Sequence, residues 1–409
     1  MSRQATYTMH QCLGRGGFGE VYLATQSIGN IDKRVAVKVL RKAVKKDQQA
    51  LFRLRDEARM LAALDHPAIL GVHELTRLAG RVALVTEYVE GVDIARCAKK
   101  ERLLPPRAAV GIAGEVAGAL HCAWTTPSPM NGAPLHLIHR DIKPENIRLS
   151  KHGEVKLLDF GVARTRQLGR EARTVTGDMP FTPGYAPPEA FLEEGEQGHP
   201  TDIFALSVTL YRLLTGEKFY EHLRLTEQIN LAAEPEEYEA FVEERLELVK
   251  GPEGLSQLLR RGLAWAPADR PAADELEHLC DRLVDELDGL TYRRWAKGVE
   301  FPPPTNLRDA ELTGEVLTED EEAIRIEAPP VPEAIASIKP VTEPFPRPVP
   351  PSARETVALP HRAPPPPGGG IRWRLWISVS LFLALCLAGV AALTMAFTAI
   401  LSALLLQAM

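Results

Sequence analysis

The chain has 409 residues, more than one ordinary domain needs, so a two-lobed domain with added segments is the starting expectation. A formal net charge of −6 gives no electrostatic case for nucleic acid as a partner. Five scattered cysteines (Cys12, Cys97, Cys122, Cys280 and Cys386) lack zinc-ligand or redox spacing and fit a reducing compartment. The N-terminus has no apolar run, so no secretory signal peptide is expected.

Residues 7 to 40 read as strand, glycine-rich turn, strand, loop, strand. The turn follows Leu13 and runs Gly14-Arg15-Gly16-Gly17-Phe18-Gly19-Glu20-Val21. Glycines let backbone N–H groups approach phosphate oxygens with no Cβ in the way. A dinucleotide-binding turn would open a helix. Here the short, β-favouring Val21-Tyr22-Leu23-Ala24 follows instead. Val35-Ala36-Val37-Lys38 is an apolar strand ending in a lysine. Residues 47 to about 64 have helical periodicity, with Leu51, Leu54, Ala58, Leu61 and Leu64 on one stripe and Glu57 beside it. Strands follow near 70–76 and 81–87, then Glu87-Tyr88-Val89-Glu90-Gly91. Asp93 beyond them reads equally as the N-cap of the next helix. A long helical pattern covers 106–124, and a Pro/Ser/Asn/Gly-rich surface loop covers 125–134.

The densest chemistry comes next. His139-Arg140-Asp141-Ile142-Lys143-Pro144-Glu145-Asn146 precedes a short apolar strand, Val155-Lys156-Leu157-Leu158, which would deliver Asp159-Phe160-Gly161. Asp141 can accept the proton of an attacking hydroxyl. Lys143 can hold a phosphate in transfer. Asn146 and Asp159 are hard oxygen ligands of the kind Mg²⁺ requires. A polar segment with four threonines (Thr165, Thr174, Thr176, Thr182) ends in Thr182-Pro183-Gly184-Tyr185-Ala186-Pro187-Pro188-Glu189. Helices are expected at 202–214, 254–264 and 272–287. The acidic stretch 217–250 reads only as helix plus loop.

The octet, the Asp-Phe-Gly triplet and the glycine turn together resemble the eukaryotic-type (Hanks-type) Ser/Thr protein kinases, in the style of their bacterial members. The resemblance covers residues 7–287. It implies an α+β bilobal fold, with a small, mainly β lobe carrying one long helix and a larger, mainly α lobe. It implies ATP with Mg²⁺, or Mn²⁺ in its place, and protein Ser/Thr hydroxyls as substrate. The site residues it carries over are the catalytic Asp141, Lys143 and Thr182, the Lys38–Glu57 pair on the phosphates, and Asn146 and Asp159 on metal. Residues 13–19, Val21, Ala36 and the hinge groups of Glu87 and Val89 would hold the nucleotide. Asp93 matches a ribose-binding acid as well as an N-cap, and Thr86 falls at the gatekeeper position. Glu189 is expected to pair with Arg270, and Asp202 to bond the backbone of the catalytic loop. Arg140 would bind a phosphorylated Thr174 or Thr176. Lys143 favours the Ser/Thr branch. Arg148 departs from the family, which places an apolar floor for adenine there. The rivals are a pseudokinase scaffold, against which the full catalytic set speaks, and a small-molecule phosphotransferase, which would not need the 182–189 platform.

Residues 301–370 hold 17 of the chain's 33 prolines and read, with 288–300, as a flexible linker. From Leu375 to Met409 there are 35 residues without a charge, enough for one membrane span. Arg372, Trp373, Arg374 and Trp376 mark its cytoplasmic end, so residues 371–409 are expected to anchor the kinase domain on the cytoplasmic face of a bacterial inner membrane. Almost nothing follows the span, so no external sensor domain is expected. Ala384, Ala388, Ala392 and Ala396 form a small-residue stripe that would suit a helix-paired homodimer.

Overall fold

The structure is a computed structural model that describes residues 4–16, 19–40, 58–97, 103–158, 160, 181–192, 198–301, 303, 307 and 310–320. Gly17, Phe18, Glu57, Asp159, Thr165, Thr174, Thr176 and the apolar run 371–409 lie outside the described residues. Among the described residues, no helix is long and apolar enough to cross a membrane.

The small lobe is an antiparallel sheet of β1 (Thr6–Arg15), β2 (Gly19–Ile28), β3 (Ile31–Leu40), β4 (Val72–Leu78) and β5 (Arg81–Glu87). Its order is β4-β5-β3-β2-β1, with one further strand on β1, β9 (Val316–Thr318). Strand periodicity decides what each residue faces. In β3 the valines 35, 37 and 39 are buried in the sheet's own core with Tyr7, Met9 and Tyr22, while Ala36 and Lys38 alternate to the other face.

A second sheet, β6 (Gly91–Asp93), β7 (Ile147–Ser150) and β8 (Val155–Leu157), joins the lobes. The large lobe consists of α1 (Pro106–Thr125), α2 (His199–Thr215), α3 (Leu225–Ala233), α4 (Pro235–Leu246), α5 (Glu253–Gly262), α6 (Ala273–Glu286) and α7 (Tyr292–Lys297). The glycines of α1 let its neighbours approach closely. A Cβ on Gly118 would lie 2.6 Å from a Glu277 oxygen, and one on Gly111 would lie 2.9 Å from the Tyr292 ring. Gly216, at φ 73°, ends α2 in the left-handed region.

Two expectations change. The acidic stretch after residue 217 holds two helices, α3 and α4. Tyr238 of α4 and Phe219 before them are fully buried, so the charges lie on the outer face of a packed element. Residues 288–301, expected to belong to a linker, are folded instead. Tyr292 and Ala296 of α7 are buried in the large-lobe core, and 310–320 join the small lobe. Proline density averaged over 301–370 conceals a proline-free piece, 310–320, whose pairing partner lies some 300 residues away.

Candidate active site

The catalytic loop is fixed from below. Asp202, in the first turn of α2, is fully buried and accepts the backbone N–H of His139 at 2.6 Å and of Arg140 at 2.8 Å. Burial pushes its carboxyl up to about 6, and the two N–H donors resist that shift. Arg140 takes a left-handed backbone, φ 64°, held by the hydrogen bonds that the N–H groups of Arg140 and His139 donate to Asp202. The His139 ring bonds Leu158 O at 2.8 Å and accepts Asp141 N–H at 3.3 Å, which assigns its proton to Nε2. His139 thereby ties the loop to the end of β8, and its ring packs 4.8 Å from that of Phe160.

The loop's side chains converge on Asp141. Lys143 Nζ donates to both Asp141 oxygens, at 2.8 and 3.0 Å. Asn146 Nδ2 donates to the Asp141 carbonyl at 2.7 Å and to its carboxylate at 2.9 Å. The Thr182 hydroxyl donates to Asp141 Oδ1 at 2.7 Å and accepts from Lys143 at 3.2 Å. Leu158 N–H donates to Asn146 O at 2.8 Å, so β8 brings the residue before Asp159 to the same loop.

The segment that carries Thr182 is anchored by an ion pair. Arg270 donates to both oxygens of Glu189, at 2.7 and 2.8 Å, with both side chains almost fully buried. Its guanidinium also bonds Ala264 O and lies 4.9 Å above the Phe204 ring.

Above the loop, a cavity of about 230 Å³ lies between the lobes. Leu13, Gly14, Val21, Ala36 and Lys38 line its roof, and Glu87, Val89 and Asp93 line its rear edge. Lys38 stands in register with Val21 on one side and Leu84 on the other. Gly16 N–H closes the glycine turn onto Gly19 O at 2.9 Å. Gly17, Phe18, Glu57 and Asp159 are expected here and lie outside the described residues.

Arg148 lies at the adenine floor, where the resemblance put it, but its partners and those of Glu87 escaped the sequence reading. Arg148, cross-strand from Asp93, forms part of the lining. Its guanidinium donates to Val89 O at 2.9 Å, Gly91 O at 2.7 Å and Asp93 Oδ1 at 2.9 Å. Asp93 precedes a single turn at Ile94–Arg96 but makes no side-chain cap there, so its carboxylate serves Arg148. Glu87 likewise holds Lys156 at 2.7 Å and accepts Gly71 N–H at 2.7 Å. The β6–β7 pairing places Arg148 opposite Asp93, and the sequence carries no signal of that register.

A family model for the protein kinase domain matches residues 7–279. PkaB of Streptomyces coelicolor, a serine/threonine-protein kinase, is 33% identical over 293 residues, covering 69% of this chain and 64% of PkaB. PknJ of Mycobacterium tuberculosis, also a serine/threonine-protein kinase, is 37% identical over 217 residues, covering 52% of this chain and 34% of PknJ. This chain thus spans between one third and two thirds of the length of these two relatives. A crystal structure of the Mycobacterium tuberculosis PknI kinase domain matches with a TM-score of 0.46 at 26% identity, over 68% of this chain and 95% of that one. The family match covers two thirds of the chain, which belongs to the protein kinase domain family.

Proposed function

We propose that the protein is a membrane-anchored Ser/Thr kinase that transfers the γ-phosphoryl of ATP to protein hydroxyls. The observation that carries the reading is the convergence of Lys143, Asn146 and Thr182 on the Asp141 carboxylate. In phosphoryl transfer the protein supplies mainly position and charge. Asp141 orients the substrate hydroxyl and takes its proton. Lys143 stands 2.8 Å from that carboxylate and reaches the phosphoryl oxygens as they accumulate charge. Lys38, on the cleft face of β3, holds the α- and β-phosphates, and Glu57 is the carboxylate that would pair with it. The N–H groups of the 14–19 turn cover the phosphates from above.

Asn146 fits a cation ligand. Its amide nitrogen is committed to Asp141, which leaves Oδ1, a hard oxygen, for metal. Asn146 and Asp159 would hold Mg²⁺, with Mn²⁺ as a substitute, and the ion when bound offsets phosphate charge.

The apolar run after Arg374 supports anchoring by residues 371–409, with the kinase domain on the cytoplasmic side of a bacterial inner membrane. The threonines at 174 and 176 supply sites for autophosphorylation that Arg140 would receive. The test is incubation of the purified chain with γ-labelled ATP, Mg²⁺ and a Ser/Thr-containing protein. Acid-stable label on Ser or Thr that depends on the divalent ion supports the reading. Absence of label at any divalent-ion concentration contradicts it.

A further inference from the structure

Residues 310–320 lie beyond the family match, yet they complete the small-lobe sheet. β9 runs antiparallel to β1, pairing Thr6 with Thr318 and Thr8 with Val316. The ladder continues past β9: Met9 N–H donates to Glu315 O at 2.9 Å and Gly314 N–H to Met9 O at 2.8 Å. The chain then crosses to the far edge. Asp320 N–H donates to Arg77 O at 3.0 Å, and Gly80 N–H donates to Asp320 Oδ2 at 3.0 Å. One segment therefore joins β1 to β4, the two outer strands of the five-stranded core sheet.

The same segment reaches the glycine turn. Leu312, 6% exposed, packs in the cluster that contains Tyr7, Met9 and Tyr22, and its N–H donates to the Tyr22 hydroxyl oxygen at 3.4 Å. The Tyr22 hydroxyl donates to Glu20, and that bond holds the Glu20 carboxyl below its ordinary range. Glu20 grips Arg15 Nε at 2.6 Å. Arg15 and Glu20 are the cross-strand pair on which the turn closes. On the outer side, Glu311 pairs with Arg81 at 3.2 Å.

We propose that residues 310–320 are a positioning strap for the glycine turn, acting through Leu312, Tyr22, Glu20 and Arg15. This rests on the kinase reading, because what the strap positions is the phosphate-binding turn. A glycine-rich turn has large conformational freedom, and fixing its base lowers the ordering cost when nucleotide binds. Releasing the strap weakens nucleotide binding more than it affects the catalytic loop, which hangs from Asp202 in the other lobe.

The experiment uses the full chain and two variants. Leu312→Asp places a charge in the apolar cluster and releases the strap. Tyr22→Phe keeps the ring packed and cuts the relay. Both should speed amide hydrogen exchange at residues 14–21 about tenfold and weaken MgATP binding about tenfold, with exchange in α1 and α2 unchanged. Neither readout needs phosphotransfer, so a wild-type chain that phosphorylates nothing sinks the kinase reading and leaves this test intact. The proposal is overturned if exchange in the turn and MgATP affinity stay within twofold of wild type while residues 314–319 exchange freely in Leu312→Asp. A lower Tm with an unchanged turn also overturns it, since the segment is then only a stabilising strand. If Leu312→Asp does not fold, Tyr22→Phe decides by the same two readouts.

Discussion

Asp202 shows how one buried carboxylate organises a site it does not touch. Its pKa, pushed up to about 6 by burial, lies above the ordinary value near 4. Its contribution to stability is therefore fully present below pH ~4 and is lost as the pH rises through about 6. In unfolding measured against Asp202→Asn, the wild-type advantage should shrink between pH 4 and pH 7 by on the order of 2–3 kcal/mol. A flat difference across that range would contradict the burial argument. The charged form is nevertheless the one that accepts the N–H groups of His139 and Arg140, so phosphotransfer should fall as the pH drops below about 6. At the cavity, Arg148 occupies Val89 O and Asp93. Arg148→Leu removes that competition and supplies an apolar floor. The expected gain in ATP affinity is about 1 kcal/mol, roughly fivefold, read as a lower KM for ATP. A higher KM would mean that the guanidinium itself serves the nucleotide.

At the scale of elements, the Glu189–Arg270 pair locks the platform before α2 to the turn before α6. Arg270→Met leaves the Glu189 carboxylate buried and unpaired, which costs about 3–5 kcal/mol. The denaturant midpoint should fall with an unchanged slope. A loss below ~1 kcal/mol would show that the platform is held by other contacts. This pair was legible in the sequence, because Glu189 and Arg270 each sit in a motif although 81 residues separate them. The convergence of Thr182 and Lys143 on Asp141 was legible for the same reason, since local motifs place all three. Arg148 was legible only as a departure from pattern. Its partners sit on and just before β6, more than 50 residues away, and single-strand periodicity carries no cross-strand register. β9 was illegible for the same physical reason: three residues of strand have no periodicity to read, and β1 alone makes them a strand.

For the molecule as a whole, the described fold ends at residue 320, some 50 residues before the apolar run begins. If that run anchors the protein, removing residues 371–409 should move the chain from the membrane fraction to the supernatant without changing phosphotransfer per molecule in detergent. Retention of the shortened chain on membranes would place the anchor elsewhere. The phosphotransfer site stands or falls with Asp141. Phosphorylation of a Ser/Thr peptide at saturating MgATP is measured for wild type and Asp141→Asn, with nucleotide binding measured on the same samples. A positioned base of this kind contributes roughly 10²–10⁴-fold, so the variant should lose that much in rate while its Kd for MgATP stays within about threefold. Equal rates for the two proteins would contradict the assignment of Asp141 and the phosphotransfer site built around it.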